Sequence, residues 1–249
     1  MQSLKHYLHN LRTTKDLVST LLKPHLAARG QRKIVIDYSS PNIAKRFHIG
    51  NLRSTLIGRF LDSLYRQCGD DVTSVNYLGD WGSQFAILAA YWPNIRPSDE
   101  CSTFILQVWR RCTDLDKIKL LTNCYVEANH MAQDNEQFRS DVRKIFAEME
   151  NALILGNFEN DQLKFWNEVR DISVRHLEDF YRLLRIKFDR ISNESDFVKH
   201  SQQIVNTFLD RQIAQQSADG MIIVKDPQIE GYATVRKSDG SSLYLSRCD

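Results

Sequence analysis

Residues 33–64 constrain the fold most, because they read as a strand, an abrupt turn and a helix in immediate succession. Lys33-Ile34-Val35-Ile36-Asp37-Tyr38 is a β-branched run that stops at Ser39, Ser40 and Pro41. A helix then begins near Gly50, with Leu52, Leu56, Phe60, Leu61 and Leu64 recurring at helical spacing. A strand feeding a helix in this way starts an α/β unit, and the turn between the two is where such folds bind phosphate. An anion there meets backbone N–H groups and the positive end of the helix dipole. Gly50 lets the backbone approach closely, and His48 can donate a hydrogen bond or a charge.

Further along, punctuation nearly vanishes. Between Ser98 and Asp219 there is one glycine, Gly156, and no proline, so long helices are expected. Leu177, Phe180, Tyr181 and Leu184 follow the spacing of a helix with one buried face. Trp109, Phe165 and Trp166 read as core aromatics rather than base-stacking platforms. Strands resume at Met221–Val224 and Tyr232–Val235, followed by a Ser238-Asp239-Gly240 turn and then Leu243-Tyr244-Leu245. His130, His176 and His200 have no partners at metal-ligand spacing, and no metal site is read.

Composition narrows the class. The 249 residues are 42% hydrophobic and 26% charged, and no apolar run approaches the ~18 residues of a membrane span. A net charge of +2 does not by itself identify a nucleic-acid partner. Cys68, Cys101, Cys112, Cys124 and Cys248 form no CxxC pair, so they read as reduced thiols. In the first 33 residues Lys5, Arg12, Lys15, Lys23, Arg29, Arg32 and Lys33 face one acid, Asp16. Two readings of this segment stand side by side: an organelle transit peptide, or an ordinary helix through Leu17, Val18, Leu21 and Leu22 closed by Pro24.

Three strings occur in order: PNIAKRFHIGNLRST at 41–55, NYLGDWGSQF at 76–85 and KSDGSSLYLSR at 237–247. Together they resemble arginyl-tRNA synthetase, a class I aminoacyl-tRNA synthetase, over roughly residues 33 to 247. The SPNIAK form is more similar to the mitochondrial and fungal branch. The resemblance implies an α/β, Rossmann-like class I synthetase catalytic fold, partial, with a large helical insertion. Its layout would be a helical segment at 1–30, the first half of the nucleotide-binding fold at 31–95, the insertion at 96–218 and returning strands of that fold at 219–249.

What the resemblance implies chemically is adenylation of arginine by ATP, with Mg²⁺, and transfer to tRNA by an arginine–tRNA ligase. His48, Gly50 and Asn51 would contact ATP and carry catalysis. Asp37, Ser40, Pro41, Asn42, Asn51 and Tyr244 would bind arginine, because a guanidinium's planar fork of donors matches a carboxylate. The family usually has a second histidine where Asn51 stands, and an aspartate where Cys248 stands. No Lys-Met-Ser-Lys loop occurs, and no anticodon-binding domain is recognised. The expectation is therefore a catalytic domain cut off partway, a monomer that does not sustain arginylation alone, in the mitochondrial matrix or otherwise the cytoplasm, and not on a membrane. The alternative is a non-catalytic fragment with nucleotide or tRNA affinity. A compact small-molecule nucleotidyltransferase fits the long helical middle less well.

Overall fold

The computed structural model describes residues 29–95, 109–225, 228 and 230–247. The chain divides into two compact units. The first holds the residues up to Ser40, His48–Tyr77 and Arg185–Ser192; the second holds Pro41–Phe47, Leu78–Leu184 and Asn193–Asp249. The expected N-terminal helix or transit segment falls almost wholly on residues 1–28, and with Cys248 and Asp249 it lies outside the described residues.

In the first unit β1 (Lys33–Asp37) runs parallel to β2 (Asp71–Leu78), with Lys33 opposite Asp71 and Asp37 opposite Val75. Between them in the chain comes α1 (Ile49–Gln67), so the expected strand–helix–strand unit is present. The third strand, β3 (Arg190–Asn193), completes the order β1-β2-β3. Tyr38, just past β1, stacks on Phe188 with ring centroids 4.7 Å apart.

The packing of α1 departs from its leucine spacing. Leu56 and Phe60 are exposed, whereas Thr55, Gly58 and Asp62 are buried. The cause is steric: a Cβ at Gly58 would lie 2.2 Å from Cβ and Cγ of Tyr38, so only glycine lets the helix lie against that side chain. The buried polar groups are satisfied, as burial requires. Thr55 Oγ1 donates to Ser39 Oγ at 2.8 Å, and Asp62 accepts from Arg59 and Arg66, each at 2.7 Å.

The second unit is mainly helical: α2 (Ser83–Ile95), α3 (Asp114–Asp134), α4 (Glu136–Leu155) and α5 (Asp161–Leu183), then a 3₁₀ turn at Glu194–Phe197 and α6 (Val198–Asp210). The unpunctuated stretch does form long helices, divided by polar caps. Thr113 Oγ1 accepts the Asp116 N–H, Asn135 Oδ1 the Phe138 N–H and Asn160 Oδ1 the Leu163 N–H, while Gly156 (φ 69°) ends α4 in a left-handed turn. The aromatics between them are core. Trp81 meets Trp166 edge-on at 5.2 Å, and Trp92 lies 5.1 Å from both Trp109 and Phe165.

Two expectations about the strands change. β4 (Ala214–Gln216), β5 (Ile222–Val224) and β6 (Ala233–Arg236) form a separate antiparallel sheet instead of rejoining β1 and β2. They close over their own core of Val205, Ala214, Ile222 and Val235, which removes any need for the parallel sheet. The strand that does rejoin is β3, within the span read as helical insertion. Tyr244 and Leu245 are not extended either; they open a helical turn, α7 (Tyr244–Arg247), after Ser242 bridges back to Arg236.

Candidate active site

The chain leaves β1 through two non-glycine residues with left-handed backbone, Ser39 (φ 71°) and Ser40 (φ 41°). Such conformations persist where the surroundings over-determine them, and they cluster at functional sites. Here buried Asn76 supplies the hold, its Oδ1 accepting the Ser40 N–H at 3.0 Å. Ser40 Oγ accepts the Tyr77 N–H at 3.1 Å and donates to Asp37 Oδ1 at 2.5 Å. Asp37 and Ser40 are thus joined directly, and the carboxylate is fixed at the strand end.

His48 is the N-cap of α1. Its Nδ1 accepts the Gly50 N–H at 3.1 Å, and Asn51 Oδ1 accepts the His48 N–H at 3.2 Å, a capping box with His and Asn in place of the usual Ser/Thr and Glu/Gln. With Nδ1 accepting, a neutral imidazole carries its proton on Nε2, which becomes the ring's donor. The Gly50 N–H expected for a phosphate is therefore held by His48 itself. No acidic residue lies in the first turn to offset the helix dipole.

Asp37 and Gly50 line one cavity of about 380 Å³ in the first unit, together with Arg53, Ser54 and an apolar floor of Ile36 and Ile57. The cavity offers a carboxylate, a guanidinium and a hydroxyl above apolar surface. Sequence reasoning missed Arg53, Ser54 and Asn76. The first two were within reach, since they follow Gly50 by one helical turn; Asn76 needed the tertiary contact.

The remaining site residues belong to the second unit. Pro41 O accepts the Gly79 N–H and Gly79 O the Ile43 N–H, both at 3.2 Å, so that Asn42 and Gly79 form a parallel bridge. A Cβ on Gly79 would sit 2.0 Å from Asn42 Oδ1, so this glycine sets the carboxamide's place. Next to it Asp80 is wholly buried. It accepts from Ser195 N–H (2.8 Å), Ser195 Oγ (2.7 Å) and Arg170 Nε (3.0 Å), and its backbone oxygen accepts from Trp166 Nε1 at 2.7 Å. Burial pushes the Asp80 carboxyl upward, and the Ser195 donors and Arg170 oppose that shift. Tyr244 opens α7 and is exposed, while Arg247 at its end is buried in an ion pair with Glu194 at 2.8 Å.

Comparison with known proteins places this chain in a family. The family model described as "tRNA synthetases class I (R), catalytic domain" matches residues 13–248. The chain belongs to the catalytic-domain family of class I arginyl-tRNA synthetases. A probable mitochondrial arginine–tRNA ligase of Mus musculus is 33% identical over 220 residues, covering 87% of this chain and 35% of the relative. The mitochondrial arginine–tRNA ligase of Saccharomyces cerevisiae is 35% identical over 230 residues, covering 88% and 33%. Cytoplasmic arginine–tRNA ligases match as well. The crystal structure of arginyl-tRNA synthetase from Plasmodium falciparum superposes with a TM-score of 0.59 at 23% identity, over 94% of this chain and 39% of that one, a likeness of fold. The chain spans about a third of the length of these curated relatives.

Proposed function

We propose that this chain acts in an arginine–tRNA ligase, activating arginine with ATP and passing it to tRNA. The family match over residues 13–248 carries the reading. The naming of its relatives as arginine–tRNA ligases supports it, as does a strand-end carboxylate sharing a cavity with the start of α1.

In this reading the arginine carboxylate attacks the α-phosphorus of ATP, and pyrophosphate leaves. No protein nucleophile takes part, so the protein contributes alignment and stabilisation of charge. His48 Nε2–H donates to phosphate oxygen, and phosphate binding draws the Gly50 N–H from Nδ1 to the ligand. Asn51 keeps the His48 backbone in place, although its carboxamide can never carry a proton's charge. Asp37 holds the guanidinium, with Ser40 fixing the carboxylate. Pro41, Asn42 and Tyr244 are carried over from the family resemblance alone, as the residues that would bind the α-amino group and the side chain of arginine. Mg²⁺ bound to the ATP phosphates would supply further neutralisation of charge there. The protein is read as a monomer of the mitochondrial matrix or otherwise of the cytoplasm, since mitochondrial and cytoplasmic relatives both match.

Arginine-dependent exchange of pyrophosphate into ATP, with tRNA present, tests the activity. Calorimetric titration of arginine, lysine and ATP tests the site. Arginine should bind better than lysine, and Asp37→Asn should weaken arginine about tenfold or more while ATP binding holds, because a charge-assisted bidentate contact is lost. Equal arginine affinity in the parent and Asp37→Asn would remove Asp37 from the site. ATP binding without any exchange would mark a binding module instead.

A further inference from the structure

A short helix of the second unit is held by deeply buried charges. α7 is four residues long, and a helix of that length does not sustain itself, since nucleation is unfavourable. Its orientation is therefore set by what it is tied to. Arg247, at its end, is 5% exposed, whereas Tyr244, at its start, is 65% exposed. One residue of the turn grips the interior and the other is presented outward.

The grip is a chain of side chains from separate elements. Glu150 of α4 accepts the Ser242 N–H at 2.7 Å and the Ser242 hydroxyl at 2.8 Å. Ser242 Oγ in turn accepts from Arg247 Nη1 at 2.8 Å, while Arg247 Nε and Nη2 reach Glu194 Oε1 at 3.0 and 2.8 Å. All four residues are buried, and all belong to the second unit. A planar guanidinium can meet a carboxylate with two donors and a hydroxyl with a third; a lysine ammonium is a point charge on a flexible stem and cannot hold that geometry. Burial pushes the Glu194 carboxyl upward, and the charge of Arg247 opposes the shift. Within the turn Ser246 Oγ accepts the Leu243 N–H at 3.1 Å and donates to Leu243 O at 2.9 Å, so the turn moves as one piece.

We propose that Arg247 is a positioning residue for arginine recognition. Clamped between Glu194 and Ser242, it fixes the orientation of α7 and so the place at which the Tyr244 ring meets the substrate's side chain. An unclamped turn would have to be ordered on binding, at a cost in affinity. This role rests on the reading in which Tyr244 binds arginine, and Arg247 acts only through that ring.

A double-mutant cycle tests this, read by calorimetric titration of the 249-residue chain with arginine and a thermal melt for each variant. Tyr244→Ala should weaken arginine binding about fivefold to tenfold, the value of one lost contact. Arg247→Lys keeps the positive charge beside Glu194 but loses the fork, and should weaken binding by a similar factor. In the Tyr244→Ala background the same change should cost nothing more, because the ring it positions is gone. A merely structural role would lower the melting temperature and leave the two effects multiplying. Ser242→Ala cuts the link between Glu150 and Arg247 without unpairing Glu194, and replaces Arg247→Lys in the cycle if that variant melts below the titration temperature. The positioning role alone is overturned by multiplying effects, or by arginine affinity that Tyr244→Ala weakens while Arg247→Lys and Ser242→Ala leave it unchanged. Unchanged affinity in Tyr244→Ala removes that residue from the site and the proposal with it, and a parent that binds no arginine overturns the ligase reading as well.

Discussion

At the scale of single residues, His48 has two separable jobs. Its Nδ1 caps α1, and its Nε2–H is the donor proposed for phosphate. Loss of an N-cap side chain costs about 1 kcal/mol, so His48→Ala should lower both the melting temperature and ATP affinity. His48→Ser restores a capping oxygen without the imidazole. It should recover the melting temperature and leave ATP binding weak, as a melt and an ATP titration on the same samples would reveal. Recovery of both would reduce His48 to a cap.

At the scale of elements, α1 reverses the usual preferences of a helix. Replacing a mid-helix glycine by alanine normally stabilises, yet at Gly58 the new Cβ meets Tyr38 at 2.2 Å. Gly58→Ala should therefore destabilise by about 1–3 kcal/mol through overpacking. Phe60→Ser, on the exposed side, should stay within about 0.5 kcal/mol of the parent, as surface changes do. Denaturant midpoints would rank the two, and the opposite order would restore the leucine-face reading. β2 offers a pH-dependent contact. The Ser74 N–H, the Ser74 hydroxyl and Arg66 hold the Asp189 carboxyl below its ordinary value. A carboxyl depressed in the folded state contributes stability above its unfolded pKa, near 3.9, and that contribution is lost as pH falls through the lower folded value. Asp189→Asn should thus be less stable than the parent at pH 7, with the gap closing below about pH 4. A gap unchanged at pH 3 would show that the charge is not what Asp189 contributes.

At the scale of the whole molecule, all four tryptophans, Trp81, Trp92, Trp109 and Trp166, belong to the second unit. Tryptophan fluorescence therefore reports that unit, whereas circular dichroism reports both. Asp80 ties Trp166, Arg170 and Ser195 together across the second unit. Asp80→Asn turns an amide N–H toward Arg170 and leaves that cation without its buried partner, a loss of about 3–5 kcal/mol. The unfolding free energy read by fluorescence should fall by about that amount. Gly58→Ala, in the first unit, should move the dichroism transition more than the fluorescence one. Coincident shifts in both variants would mean the two units unfold as one.

Local pattern by itself determined β1, the start of α1, the run of long helices after Ser98 and the three strings that identify the family. Each of these depends on neighbours within a turn or two of the chain. The positions of Asp37 at the end of β1 and of His48 and Gly50 at the start of α1 were legible for the same reason, since a strand–turn–helix junction is a short-range pattern. Tertiary structure alone decided which face of α1 is buried, because that turned on Gly58 meeting Tyr38 and not on the count of leucines. It likewise decided that β3 joins the parallel sheet while β4–β6 close a sheet of their own. Asp80 and Arg247 belong in this second group. Their partners lie up to 115 and 53 residues away in the chain, and no spacing rule announces a contact made at that distance.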